Sequence, residues 1–141
     1  MMMKYFYSLL IYPVEKPIPK SVMKQQNDKI SVFLVDDEVH GLAALTDLID
    51  QMDNAEICGK ARSVADAIKV VNETSPSVLV LDYHLSDGTA MDICDALKIK
   101  HKSIIVSADE LIKEKINEKG IPFLNKPVGM SELEKIINTF N

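Results

Sequence analysis

The stretch SVLVLD, residues 77–82, decides how the chain is read. Val78, Leu79, Val80 and Leu81 are apolar at both parities, so a strand here is buried on both faces, and the run is too short for a buried helix. It follows Pro76 and ends on an acid, Asp82. Three other runs have the same form. KISVFLV (29–35) runs into Asp36 and Asp37, KSIIVSA (102–108) ends at Ser107, and IPFLNKP (121–127), bounded by Pro122 and Pro127, ends at Lys126. AEICGKA (55–61) is a weaker fifth strand. Between the strands the apolar period changes to that of a helix. Leu42, Leu45, Leu48, Ile49 and Met52 mark the first helix, from Gly41 to Met52. Ser63 and Asp66 form a capping-box pattern ahead of the second, which Pro76 stops. TAMDICDALK (89–98) is the third, with Asp87 and Thr89 placed to cap it. DELIKEKINEKG (109–120) is a short fourth, closed by Gly120. Ser131 and Glu134 form another capping-box pattern, and Leu133, Ile136, Ile137 and Phe140 make the stripe of the last helix.

The pattern predicts an α/β protein of (βα)5 form, a five-stranded parallel sheet wound on both faces. Right-handed crossovers bring the carboxyl ends of the strands to one edge. Asp36, Asp37, Asp82, Ser107 and Lys126 each follow an apolar run, so the fold gathers them in one crevice. Three carboxylates there repel one another and call for a cation, and hard oxygen ligands suit Mg2+. With an ammonium and a hydroxyl added, such a crevice can hold a dianionic phosphoryl group on one carboxylate. Taken singly, each residue has a plainer reading: a solvated loop start for the acid pair, a helix cap for Asp82, a loop hydroxyl for Ser107, a surface charge for Lys126.

Composition narrows the class. The 141 residues suit one domain, and 47% hydrophobic with 26% charged residues exclude a disordered chain. The net charge of -5 argues against direct nucleic-acid binding. Residues 1–29 hold five Lys against Glu15 and Asp28, a balance of +3, which leaves -8 on the rest. Cys58 and Cys94 lack metal-ligand spacing and read as buried thiols in a reducing, cytoplasmic setting. No run is long enough to span a bilayer. Residues 1–28 carry a short apolar run cut by Pro13, then Pro17 and Pro19, with no small-residue cleavage site. They read as a flexible or mis-called N-terminal extension, since Met23 is an ordinary start ahead of the first strand. Residues 1–22 are therefore expected to be dispensable for the fold; a membrane-surface or partner-binding tag is the other reading.

With FLVDDE (33–38), VLVLDYHLSDG (78–88), IIVSA (104–108) and FLNKP (123–127) in this order, the chain resembles the response-regulator receiver domains of two-component signalling over residues 29–141. The resemblance implies the flavodoxin-like receiver fold, with Asp82 as phosphoacceptor. It implies that Asp36, Asp37, Asp82 and the backbone carbonyl of His84 hold Mg2+. Ser107 and Lys126 would bind the phosphoryl group, Phe123 would take the aromatic switch position, and His84 and Asp109 would tune how quickly water attacks the acyl phosphate. The implied partners are a histidine kinase or histidine phosphotransfer protein and a downstream protein. The implied role is a phosphorelay switch that catalyses only its own phosphotransfer and slow dephosphorylation. Because 15 residues follow Lys126, a single-domain regulator is expected. There are departures. Ser86 stands where such domains usually have proline and Ala90 where glycine is common, and the Ser107–Lys126 stretch is short, which implies a truncated fourth helix. Two rival readings are a small Mg2+-dependent phosphohydrolase of the haloacid-dehalogenase type and a phosphate-independent receiver-like adaptor. The first places its nucleophile on strand one in a DxD pattern and needs room for a substrate cap. The second is disfavoured because no site residue is missing.

Overall fold

The computed structural model describes residues 28–141. The N-terminal extension, apart from Asp28, and the expectation that residues 1–22 are dispensable lie outside the described residues. Five strands form one parallel sheet in the order β2-β1-β3-β4-β5: β1 Ile30–Val35, β2 Ala55–Ala61, β3 Val78–Asp82, β4 Ser103–Ser107 and β5 Phe123–Asn125. Five helices connect and follow them: α1 Val39–Asp50, α2 Val64–Thr74, α3 Ala90–Leu97, α4 Lys113–Glu118 and α5 Met130–Ile137. This is the doubly wound (βα)5 sheet that the sequence pattern predicts.

The alternation of strand side chains explains both faces. Phe33, Val35, Leu79, Leu81 and Ile105 point to one side, where they meet Ala67 and Val71 of α2, Ile93 and Cys94 of α3, and Ile116 of α4. Val32, Leu34, Val78, Val80, Ile104 and Val106 point to the other, against Leu45 and Ile49 of α1 and Leu133 and Ile137 of α5. All five residues of β3 and all five of β4 are buried. Each fully buried Leu or Ile contributes roughly 1.5–3 kcal/mol, so the centre of the sheet is a rigid platform for whatever stands at its ends.

One glycine is needed for this packing. The register of β1 on β2 slips between Val32 and Phe33, and Phe33 lies beside Gly59. A Cβ at Gly59 would come within 2.6 Å of the Phe33 ring, which is fully buried and has nowhere to go. Gly59→Ala is expected to destabilise the protein by about 1–3 kcal/mol, the usual cost of overpacking. A lowered urea midpoint with an unchanged slope would show this; an unchanged midpoint would count against the packing described.

The local signals held to differing degrees. Ser63 Oγ accepts from the Asp66 N–H at 3.0 Å, as its pattern predicts. Asp87 does not cap the helix that follows it. Its carboxylate accepts from the Val64 and Ala65 N–H groups, at 2.7 and 3.1 Å, and so caps α2 from the other side of the sequence. Thr89 takes the cap position of α3, with Asp92 accepting from the Thr89 N–H at 2.9 Å. The Ser131 cap is not formed. α5 begins at Met130 with Gly129 ahead of it, which puts Ser131 inside the first turn. The earlier start sets Met130, Leu133 and Ile137 on one face against the sheet, and that burial outweighs a local cap. The fourth helix is short, as expected, at six residues after a 3-10 turn over Glu110–Ile112. Between β3 and α3, His84–Leu85 and Gly88–Thr89 pair as a small antiparallel hairpin that the sequence reading did not anticipate. Among the described residues no helix is long and apolar enough to cross a membrane.

Candidate functional site: an acidic crevice with one lysine

The strand order reverses direction between β1 and β3, and in open α/β sheets ligands sit at that switch point, beyond the carboxyl ends of the strands. Asp36 stands there, directly after β1, and is fully buried. Its Oδ1 accepts from the Glu38 N–H at 2.9 Å and its Oδ2 lies 3.1 Å from Lys126 Nζ. Gly41, on the first turn of α1, lies against the Asp36 carboxylate, and a Cβ there would collide with it. Asp37 is half-buried, and its backbone carbonyl accepts from the Arg62 guanidinium at 3.0 Å. Asp82 closes β3 and is buried, with Oδ1 3.1 Å from the same Lys126 Nζ.

Ser107, also buried, closes β4. Its Oγ accepts from the Asp109 N–H at 3.0 Å, and its carbonyl accepts from the Lys126 N–H at 3.0 Å. The second bond sets the lysine loop directly beside the end of β4. Lys126–Pro127 is a cis peptide. His84 Nε2 donates to Asp109 Oδ2 at 3.0 Å, and the Tyr83 ring meets the His84 ring edge-on at 4.9 Å. Together Asp37, Glu38, Asp82, His84, Ser107, Ala108, Asp109 and Lys126 line an open crevice of about 580 Å³.

Charge in this crevice is finely opposed. Burial pushes the Asp82 carboxyl up to about 6; the hydrogen bond from Lys126 opposes the shift and the neighbouring Asp36 reinforces it. Burial would pull Lys126 down, but the Asp82 and Asp36 carboxylates together hold it above its ordinary value, so it is a fixed cation. Asp109 is held below the usual carboxylate range by its bond to His84 and by the Leu111 N–H.

Asp36, Asp37 and Asp82 each offer an oxygen, and these oxygens lie within 4.8 Å of one another. All are hard donors. Three carboxylates against the one Lys126 ammonium leave a formal excess of two negative charges, the complement of a divalent cation. The donor set therefore fits Mg2+.

The structure thus brings together Asp36, Asp37, Asp82, Ser107 and Lys126, with His84 and Asp109 on the rim. Phe123 is apart from them. It pairs in register with Ile105 and packs, partly buried, against the α2–α3–α4 side of the core. Two neighbours escaped the sequence reading. Gly41 makes room for Asp36 and Arg62 pins the Asp37 peptide, and neither role carries a local signal. Glu38, the third acid after β1, also lines the crevice.

The family follows from comparison. Residues 32–138 match the family model of the response regulator receiver domain, and the chain belongs to that family. It is 30% identical over 112 residues to the transcriptional regulatory protein BtsR of Salmonella typhi, covering 77% of this chain and 47% of that protein. It is 29% identical over 114 residues to the sensory transduction protein LytT of Bacillus cereus, covering 78% of this chain and 45% of that protein. The chain spans about half the length of these curated relatives. Among solved structures, the response regulator domain of Thermotoga maritima CheB superposes with a TM-score of 0.68 at 24% identity, covering 79% of this chain and 95% of that one. A chain of the CheX–CheY–BeF3–Mg2+ complex from Borrelia burgdorferi superposes with a TM-score of 0.70 at 18% identity, covering 83% of this chain and 93% of that one. These two structures share the fold.

Proposed function

We propose that the chain is a phosphorylation switch that takes a phosphoryl group on Asp82 from a histidine kinase or phosphotransfer protein and passes the signal to a protein partner. The observation that carries this is the Lys126 ammonium, 3.1 Å from Asp36 and 3.1 Å from Asp82, beside a third carboxylate. Asp82 closes the central strand, lines the open crevice and lies beside Lys126, which places it to act as the nucleophile. It attacks phosphorus, the bond to the donor's leaving group breaks, and an acyl phosphate forms. Mg2+, held by Asp36, Asp37 and Asp82 with the His84 carbonyl, would neutralise phosphoryl oxygens. Lys126 exchanges its Asp82 oxygen for a phosphoryl oxygen, and the Ser107 hydroxyl donates to another. Both residues are joined through the backbone bond between them, so a pull on either moves the loops after β4 and β5 together. Phe123, two positions before Asn125 on β5, is placed to follow that movement.

A shared receiver span in proteins of different kinds supports reading that span as a switch unit. A transcriptional regulator, a sensory transduction protein and a protein-glutamate methylesterase of Methanococcoides burtonii share this span, which covers 47%, 45% and 33% of their lengths. What they have in common with this chain is the switch unit, taken here as residues 29–141. A cytoplasmic setting and output through a protein surface belong to the same proposal. The test is incubation with acetyl phosphate with and without Mg2+. A gain of one phosphoryl mass, dependent on Mg2+ and lost in alkali, is expected. No gain under any divalent cation would refute the reading.

A further inference from the structure

The segments that carry the metal donors leave the sheet at two different strands, yet both are tied to one turn outside the crevice. That turn, residues 61–65, joins β2 to α2. The Ala61 carbonyl accepts from the Asp36 N–H at 3.2 Å, and the Arg62 guanidinium donates to the Asp37 carbonyl at 3.0 Å. On the other side of the turn, the Val64 and Ala65 N–H groups donate to the Asp87 carboxylate at 2.7 and 3.1 Å. Those two bonds hold Asp87 below the usual carboxylate range, so it is ionised at neutral pH. The chain also packs closely there, since a Cβ at Gly88 would stand 3.2 Å from Val64 Cγ2. Asp87 lies at the tip of the hairpin that pairs His84 with Thr89, so the turn grips the segment that presents the His84 carbonyl. Arg62 is the chain's single arginine, and neither Arg62 nor Asp87 lines the crevice.

We propose that the turn at residues 61–65 is a brace that sets the spacing of the divalent-cation donors, with Arg62 and Asp87 as positioning residues. This rests on the reading of the crevice as a Mg2+ site. Mg2+ demands near-octahedral oxygens at about 2.0–2.1 Å, so its affinity depends on where the donors stand before it arrives. Asp82 is placed by the sheet itself, as the last residue of β3. Asp37 and His84 stand beyond the five-stranded sheet, and each takes lateral support from the brace. The two supports act through different donors, Arg62 through Asp37 and Asp87 through the His84 carbonyl. For Arg62, charge alone predicts the opposite effect. A guanidinium that acted only by its charge would repel a metal cation and weaken its binding, whereas a brace strengthens it.

Amide shifts in a Mg2+ titration of the full chain test this, run in about 0.5 M KCl so that exposed charges are largely screened. Arg62→Met removes the donor and Asp87→Ala removes the acceptor, while Arg62→Lys keeps a donor and Asp87→Asn keeps an acceptor. The Met and Ala variants are each expected to weaken Mg2+ binding about fivefold, the factor that one net hydrogen bond is worth. The Lys and Asn variants should stay within about twofold of wild type. Arg62→Met should add nothing in an Asp37→Ala chain, because no carboxylate is left there to place. Tighter or unchanged binding in Arg62→Met, equal weakening by Ala and Asn at position 87, or a full further loss on adding Arg62→Met to Asp37→Ala would overturn the brace. Arg62 is exposed, so its variant keeps the fold and decides the question even where Asp87→Ala frays α2. A wild-type chain that shows no Mg2+-dependent shifts would instead overturn the metal reading, so the two failures are distinguishable.

Discussion

Asp82→Asn is expected to lose the whole alkali-labile phosphoryl label and, without metal, to melt at a higher temperature than wild type. Loss of label follows because an amide is no nucleophile and the proposed acceptor is the carboxylate that closes the central strand beside Lys126. The gain in stability follows from the cost of ionising Asp82. Its carboxyl stands at about 6 in the fold and near ~4 in an unfolded chain. Between those values the native state binds the proton more tightly, so stability falls as pH rises through that window, and the full cost is present at neutral pH. A gap of two units is worth ~3 kcal/mol at most. Solvent in the crevice screens this and the lost Lys126 pair offsets part of it, which leaves ~1 kcal/mol, or roughly 4 °C in a domain of this size. The gain should vanish near pH 4 and on adding Mg2+. A variant less stable than wild type at neutral pH, metal-free, would mean that the ion pair outweighs the repulsion.

Asp37→Ala is expected to weaken Mg2+ binding by about tenfold or more, the scale on which loss of one carboxylate near a divalent cation shows. The variant is informative because Lys126 pairs with Asp36 and Asp82 rather than with Asp37. Removing Asp37 leaves that arrangement standing while taking away one of the three clustered oxygens. Amide shifts in an NMR titration of the full chain would report the affinity. An unchanged affinity would move the metal elsewhere in the crevice or deny it a site there.

The fold was legible in the sequence because strands buried on both faces leave an unmistakable mark. VLVL in β3 and IIV in β4 can satisfy no half-exposed element. The crevice was legible for the same reason, since a polar residue directly after such a run must lie at the sheet's carboxyl edge. What the sequence did not disclose depends on contacts between distant residues. Asp87 caps a helix 22 and 23 residues upstream, which no local spacing reveals. Ser131 looked like a cap because its spacing to Glu134 was right, but the start of α5 is decided by burial of Met130, Leu133 and Ile137. Likewise, that Lys126 bridges two carboxylates, that Gly41 yields space to Asp36, and that His84 reaches Asp109 are matters of side-chain geometry across the top of the sheet.

The central claim is that one carboxylate among three takes the phosphoryl group. The most direct measurement is borohydride reduction of the labelled wild-type chain, which converts a phosphorylated aspartate to homoserine, followed by digestion and peptide mass mapping. The account predicts homoserine at position 82 alone. Homoserine at position 36 or 37, or a label that borohydride does not reduce, would contradict it.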